Sequence, residues 1–120
     1  MDGEISAEEL KELLDADAEV RVVDIRSADA FTRNHIPGSV NVPFEQLTER
    51  IEELAEADRV VTVCPHGKAS VQAARLIDSF EGFEGRVDSL SSGMEGWPYG
   101  KESGRESADE ADEADADAPF

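Results

Sequence analysis

Arg59-Val60-Val61-Thr62-Val63-Cys64-Pro65-His66-Gly67-Lys68-Ala69-Ser70 is the stretch from which the fold of this chain can be read. Residues 59–63 read as a short buried strand, with β-branched Val60, Val61, Thr62 and Val63 after Arg59. Val71, Ala74, Ile77 and Phe80 recur at helical spacing and predict a helix over 71–80. Between them lies a glycine-bearing turn that carries Cys64, the single cysteine of the chain. Strand, tight turn and helix together make a device for holding an anion. Backbone N–H groups converge at the turn, and the helix dipole favours negative charge there. A cysteine in such a place ionises near neutral pH, with typical pKa values of about 3.5 to 7.5. The plain alternative is a lone cysteine filling the core as a small hydrophobe.

Outward from this stretch, strands alternate with helices. Glu4-Ile5 predicts a very short strand. Ser6-Ala7-Glu8-Glu9 is a capping box that opens a helix whose stripe is Leu10, Leu13 and Leu14. Residues 20–25 read as a strand, and Ser27 caps a short helix through about Asn34. His35-Ile36-Pro37-Gly38 is a turn, and residues 39–43 are extended. Phe44, Leu47, Ile51, Leu54 and Ala55 mark a second amphipathic helix. Residues 86–90 form the last strand, followed by a loop or short helical turn over 91–97. This alternation predicts an α/β domain with a mainly parallel sheet covered on both faces. In such sheets ligands bind beyond the carboxyl ends of the strands, where Cys64 falls.

The 120 residues suffice for one domain with one core. The expected division is a domain over 1–100 and an acidic, disordered tail over 101–120. No apolar run approaches the ~20 residues that cross a bilayer. The acidic start, Met1-Asp2-Gly3-Glu4, does not read as a secretory signal, so a cytoplasmic location is expected. One cysteine cannot close an internal disulfide, and no Cys/His cluster suggests a metal; no cofactor is expected. Asp and Glu number 29 against 11 Lys and Arg, a formal charge of −18. The last twenty residues hold eight acids and two bases, a net −6, which leaves −12 on residues 1–100. Nucleic acid and anionic membranes are therefore disfavoured partners. A domain so charged repels itself in dilute buffer. In molar salt the screening length falls to ~3 Å and the repulsion fades. The expected setting is the cytosol of an organism that accumulates salt.

Four stretches together resemble the rhodanese family of thiosulfate-type sulfurtransferases. Val23-Asp24-Ile25-Arg26 is similar to its D-x-R strand end. Residues 31–43, FTRNHIPGSVNVP, resemble its F-x-x-G-H-I-P-G-A-x-N-x-P segment. Cys64-Pro65-His66-Gly67-Lys68-Ala69-Ser70 is similar to the C-x-x-G-x-x-S active-site loop. Gly93-Met94-Glu95-Gly96-Trp97 resembles the G-G-M-x-x-W segment. The match runs in order over residues 5–99. The resemblance implies a single three-layer domain with a five-stranded, mainly parallel sheet. It also implies that Cys64 takes a sulfane sulfur from a small sulfur-containing anion such as thiosulfate. Cys64 would hold that sulfur as a persulfide and pass it to a thiophilic acceptor.

The loop residues divide the work in this reading. Gly67 permits a positive φ or a close backbone approach. Ser70 either donates to the sulfur or caps the following helix, and the cap is preferred. Lys68, the only base of the loop, either attracts an anionic donor or is simply a solvated side chain; His66 orients donor or acceptor. Pro65 stiffens the turn and removes one N–H from the cradle. Ala69 stands where many relatives carry arginine, which lowers the charge available to a dianionic donor. Asp24, Arg26 and His35 are read as structural ties near the site. Trp97 either lids the cysteine loop or simply packs in the core.

Three rivals stand beside this assignment. A cysteine phosphatase or arsenate reductase needs a longer loop and an arginine six residues after the cysteine. Position 70 is serine and the next arginine is Arg75, so this rival is disfavoured. A non-catalytic binding module on the same fold is a second. The third is a persulfide relay that serves a protein donor or acceptor, for tRNA thiolation or cofactor biosynthesis.

Overall fold

The computed structural model describes residues 3–103. Five strands form one sheet: β1 (Gly3–Ile5), β2 (Arg21–Asp24), β3 (Val40–Asn41), β4 (Arg59–Val63) and β5 (Arg86–Leu90). Their order is β1-β5-β4-β2-β3, and every neighbouring pair runs parallel. Four helices cross between them: α1 (Ala7–Asp15), α2 (Ala28–Arg33), α3 (Leu47–Arg50) and α4 (Ala69–Ser79). The expected α/β architecture is the one observed. β4 lies at the centre of the sheet, so Cys64 follows the strand most enclosed by its neighbours.

Alternation along β4 and β5 splits the core in two. Val23, Val60, Ala73, Ala74, Ile77 and Val87 belong to a cluster beneath α3 and α4, and Cys64 joins it. Val22, Val61, Val63 and Leu90 face the other way, where Leu10 of α1, Ile36, Met94 and Trp97 cover them. Each wholly buried side chain such as Leu10 contributes roughly 1.5–3 kcal/mol. The capping box of α1 forms as expected, with Ser6 Oγ accepting from Glu9 N–H and Glu9 Oε1 accepting from Ser6 N–H. Ser27 Oγ likewise accepts from Ala30 N–H at the start of α2.

Helix α4 begins at Ala69 rather than at the expected Val71, and two further features depart from the expectation. The second amphipathic helix is broken into a 3₁₀ turn (Phe44–Gln46), the single turn α3, and another 3₁₀ turn (Ile51–Leu54). Tighter winding stacks residues three apart. Phe44 with Leu47, and Ile51 with Leu54, have that spacing and all pack on the sheet. The other difference lies at the C-terminal end of the domain. Glu102 pairs with His35 as an isolated antiparallel bridge, with N–H···O distances of 2.7 and 2.8 Å. Backbone pairing is thus present at residue 102, although residues 101–103 are exposed. The remainder of the expected acidic tail lies outside the described residues.

Candidate functional site

Three segments build the site around Cys64: the end of β4, the turn over 64–68, and the loop that follows β5. Cys64 Sγ accepts a hydrogen bond from Gly67 N–H (3.1 Å) and one from Ser70 N–H (3.3 Å). Ser70 Oγ lies 3.3 Å from the same sulfur. The residue is 2 % exposed, beneath a turn whose Pro65, His66 and Lys68 are exposed. Burial pushes the thiol pKa up. The Ser70 hydroxyl and the amides of Ser70, His66 and Gly67 pull it down and prevail, so it falls below the ordinary thiol value.

The turn does not hold this shape alone. Gly67 has φ +81°, and a Cβ there would sit 2.4 Å from Ser91 O, so only glycine fits. Gly93 has φ +65°, and its Cβ would sit 2.4 Å from Pro65 O. At that close approach, Met94 N–H donates to Cys64 O (2.8 Å) and Glu95 N–H donates to Pro65 O (3.0 Å). In a planar trans peptide the C=O and N–H point opposite ways. Tying the Pro65 carbonyl to Glu95 therefore turns the His66 N–H towards the sulfur. The loop after β5 is thus part of the nest.

Ser70 corrects the expectation set for it. Helix α4 starts at Ala69, with Lys68 at the N-cap and no side-chain cap there. Ser70 is the second helical residue, and its hydroxyl faces the sulfur. The hydroxyl also meets Ser89 Oγ at 2.6 Å, while Thr62 Oγ1–H donates to the Ser70 carbonyl (2.7 Å). Thr62 and Ser89 are register partners on β4 and β5, so both underlie the first turn of α4. Sequence reasoning passed over Thr62, Ser89, Ser91, Met94 and Glu95 as site residues. Met94 and Glu95 stood within a recognised motif, whereas Thr62 and Ser89 read only as strand residues.

Asp24 is 1 % exposed and binds Arg26 bidentately, with Nε–H donating to Oδ1 (2.9 Å) and Nη2–H to Oδ2 (2.8 Å). Arg26 also donates to Asn34 O (2.6 Å). Asn41 Nδ2 donates to the carbonyls of Asp24 and Arg26, which knits the ends of β2 and β3 together. His35 is wholly buried; its Nδ1 meets Phe31 O at 2.8 Å, and its ring stacks on Phe31 at 3.8 Å. Trp97 packs with Leu10, Ile36 and Met94 on the face of the sheet opposite the cluster that holds Cys64. Of the two roles expected for Trp97, core packing is the one its position serves. Arg75, the arginine nearest after Cys64, borders a cleft with Glu4 and Asp78 rather than the sulfur nest. Among the described residues, no group of three His, Cys, Asp or Glu is placed to hold a metal ion, and no helix is long and apolar enough to cross a membrane.

Comparison with known proteins gives a consistent result. The model of the rhodanese-like domain matches residues 6–98. A Bacillus subtilis protein named as a sulfur carrier, YrkF, is 34% identical over 94 residues, covering 78% of this chain and 50% of its own length. The chain therefore spans about half of that relative. The thiosulfate sulfurtransferase GlpE of Shewanella oneidensis is 36% identical over 94 residues, covering 78% of this chain and 89% of its own. Among solved structures, a thiosulfate sulfurtransferase from Pseudomonas aeruginosa superposes with a TM-score of 0.77 at 32% identity, over 85% of this chain and 20% of that one. The human single-domain sulfurtransferase TSTD1 superposes with a TM-score of 0.68 at 26% identity, over 78% of this chain and 93% of its own.

Proposed function

Because this chain belongs to the rhodanese-like domain family, we propose that it is a sulfurtransferase that moves sulfane sulfur from thiosulfate or a similar donor through a persulfide on Cys64. One observation carries the reading. Sγ is ringed by the amides of His66, Gly67 and Ser70 and by the Ser70 hydroxyl, which together favour the thiolate. The thiolate is the form that attacks sulfur. It attacks the outer sulfur of thiosulfate; an Sγ–S bond forms, the S–S bond of the donor breaks, and sulfite leaves with the electron pair. A thiophilic acceptor such as cyanide then attacks the outer sulfur of the persulfide. The Sγ–S bond breaks and its electron pair returns to Sγ. Splitting the transfer in this way gives two accessible displacements. The same amides that hold the thiolate are suited to hold charge on the persulfide. Lys68, exposed on the turn, supplies positive charge to an incoming anion.

Two finer assignments are tested together. Incubation with thiosulfate in molar KCl should add the mass of one sulfur atom to the protein, and not to Cys64→Ser. Cyanide should then release thiocyanate catalytically. The likeness to a protein named as a sulfur carrier supports a second reading, a relay that hands its sulfur to a protein acceptor. Under that reading the sulfur adduct forms but cyanide turnover stays slow. Absence of both adduct and turnover with every sulfane donor would sink either reading and leave a binding module on a sulfurtransferase fold.

A further inference from the structure

The sulfur nest stands on a second tier of hydroxyls. Ser89, on β5, is 1 % exposed, and its Oγ lies 2.6 Å from Ser70 Oγ. Ser70 Oγ in turn lies 3.3 Å from Cys64 Sγ. Thr62, the register partner of Ser89, is committed elsewhere through its bond to the Ser70 carbonyl. Ser89 therefore meets the sulfur only through Ser70. Ser89 also borders a cleft of about 260 Å³ shared with Glu4, Val71, Arg75 and Asp78.

Counting hydrogens shows what this chain of groups prefers. Ser89, Ser70 and Sγ present two gaps, one between the hydroxyls and one between Ser70 and the sulfur. When the sulfur is ionised, two hydroxyl hydrogens fill the two gaps. Ser89 donates to Ser70, and Ser70 donates to the sulfur. When the sulfur is a thiol a third hydrogen enters, and one hydrogen must turn out of the chain. Hydrogen bonds in series polarise one another inside a protein, so a donor behind Ser70 strengthens the bond that Ser70 makes to a charged acceptor.

We propose that Ser89 is a positioning residue of the sulfur-transfer site: its hydroxyl donates to Ser70 Oγ and so directs the Ser70 hydrogen onto Cys64 Sγ. This rests on the reading of Cys64 as the reacting sulfur. Ser89 touches neither donor nor acceptor; it acts through Ser70. The other charged or titratable groups nearby are His66 and Lys68 on the turn and Glu95 on the loop after β5, on the side of the sulfur, and Glu4, Arg75 and Asp78, which border the cleft beside Ser89. All are shared by the wild type and the variants below, so the difference between proteins isolates the hydroxyl.

The test reads the ultraviolet band of the thiolate against pH, with Cys64→Ala as the blank, which requires no access of a reagent to the sulfur. Ser89→Ala should raise the titration midpoint by about half to one pH unit, a three- to tenfold loss of thiolate below the midpoint. Ser89→Thr keeps the hydroxyl and should stay near the wild type. In a Ser70→Ala background, Ser89→Ala should cause no further shift. A Ser89→Ala midpoint equal to that of the wild type overturns the inference. So does a shift of equal size with and without Ser70, or one as large in Ser89→Thr as in Ser89→Ala. Should the wild type itself titrate as an ordinary thiol, the reading of Cys64 fails first and takes this role of Ser89 with it.

Discussion

Gly93→Ala should damage the protein twice, once in stability and once in the thiol. Gly93 holds φ +65°, a conformation that costs a residue with a Cβ about 1 kcal/mol. Its Cβ would also stand 2.4 Å from Pro65 O, 2.6 Å from Pro65 C and 2.8 Å from Cys64 O. These are backbone atoms, so the turn and the loop after β5 must separate. Separation stretches the bonds from Met94 N–H to Cys64 O and from Glu95 N–H to Pro65 O. Each is worth about 1 kcal/mol. The sum is about 3 kcal/mol, a fall in Tm of roughly 12–20 °C for a domain of this size. Release of the Pro65 carbonyl also lets the His66 N–H swing off the sulfur, which moves the Cys64 pKa back up. Gly38→Ala is the matched control: φ is +86°, yet nothing lies within 4 Å of its Cβ position. It should cost about 1 kcal/mol and leave the thiol untouched. Thermal melts in molar KCl and thiolate titrations decide the matter. Equal melting temperatures for the two variants, with an unshifted thiol in Gly93→Ala, would refute the docking of one loop on the other as the source of the nest.

Other perturbations have equally definite outcomes. The Cys64 thiol is held below its unfolded value, so between the two values the unfolded chain binds the extra proton and stability rises with pH. The contribution is complete above the unfolded thiol value and vanishes as pH falls through the folded one; chemical denaturation of wild type minus Cys64→Ala across that window should show this upward slope, and a flat difference would contradict the lowered pKa. Arg26→Met strands the buried Asp24 carboxylate and should cost about 3 kcal/mol by denaturant titration. A loss below about 1 kcal/mol would mean that Asp24 is satisfied without its partner. With a formal charge of −18, the wild type should gain Tm steadily from millimolar to molar KCl; an unchanged Tm would remove the case for a salt-rich setting.

Much of the site was legible because its physics is local. The β-branched run before Cys64, the glycine three residues on, and the helical spacing from Val71 announced a strand, a turn and a helix, and the capping box at Ser6 announced α1. The turn's dependence on another part of the chain was not legible. Gly93 was visible as part of a motif, but its Cβ-free approach to Pro65 is a contact between segments nearly thirty residues apart in sequence. Ser89 looked like one more strand residue, since only the parallel register of β4 and β5 sets it under α4. The helix boundary failed for a related reason. Val71 was the first apolar residue of the stripe, yet the helix begins earlier, at Ala69, where the residue that ends its first turn of orphan amides is not a neighbouring serine.

That residue is Cys64 itself. Helices α1 and α2 open on serine hydroxyls, which accept from Glu9 N–H and Ala30 N–H. Helix α4 has no such side chain on Lys68, and the amide of Ser70, at its second position, points to the sulfur instead. Sγ therefore caps the helix from outside it. A cap of this kind couples two properties usually separate. The helix end stabilises the anion through its free amides and dipole, and the anion stabilises the helix end in return. Cys64→Ala should then do more than remove a nucleophile. It strips the acceptor from the Gly67 and Ser70 amides and should cost about 1–2 kcal/mol, as loss of a cap does. The cost should be local, because the amides that lose protection first are those of the turn and the opening of α4. Hydrogen exchange on the Cys64→Ala variant should quicken at Gly67 and Ser70 while Ala74 and Ile77, deeper in α4, stay slow. Exchange at Ser70 as slow as in the wild type would show that the helix holds its first turn without the sulfur, and the mutual dependence of helix and thiolate would have to be given up.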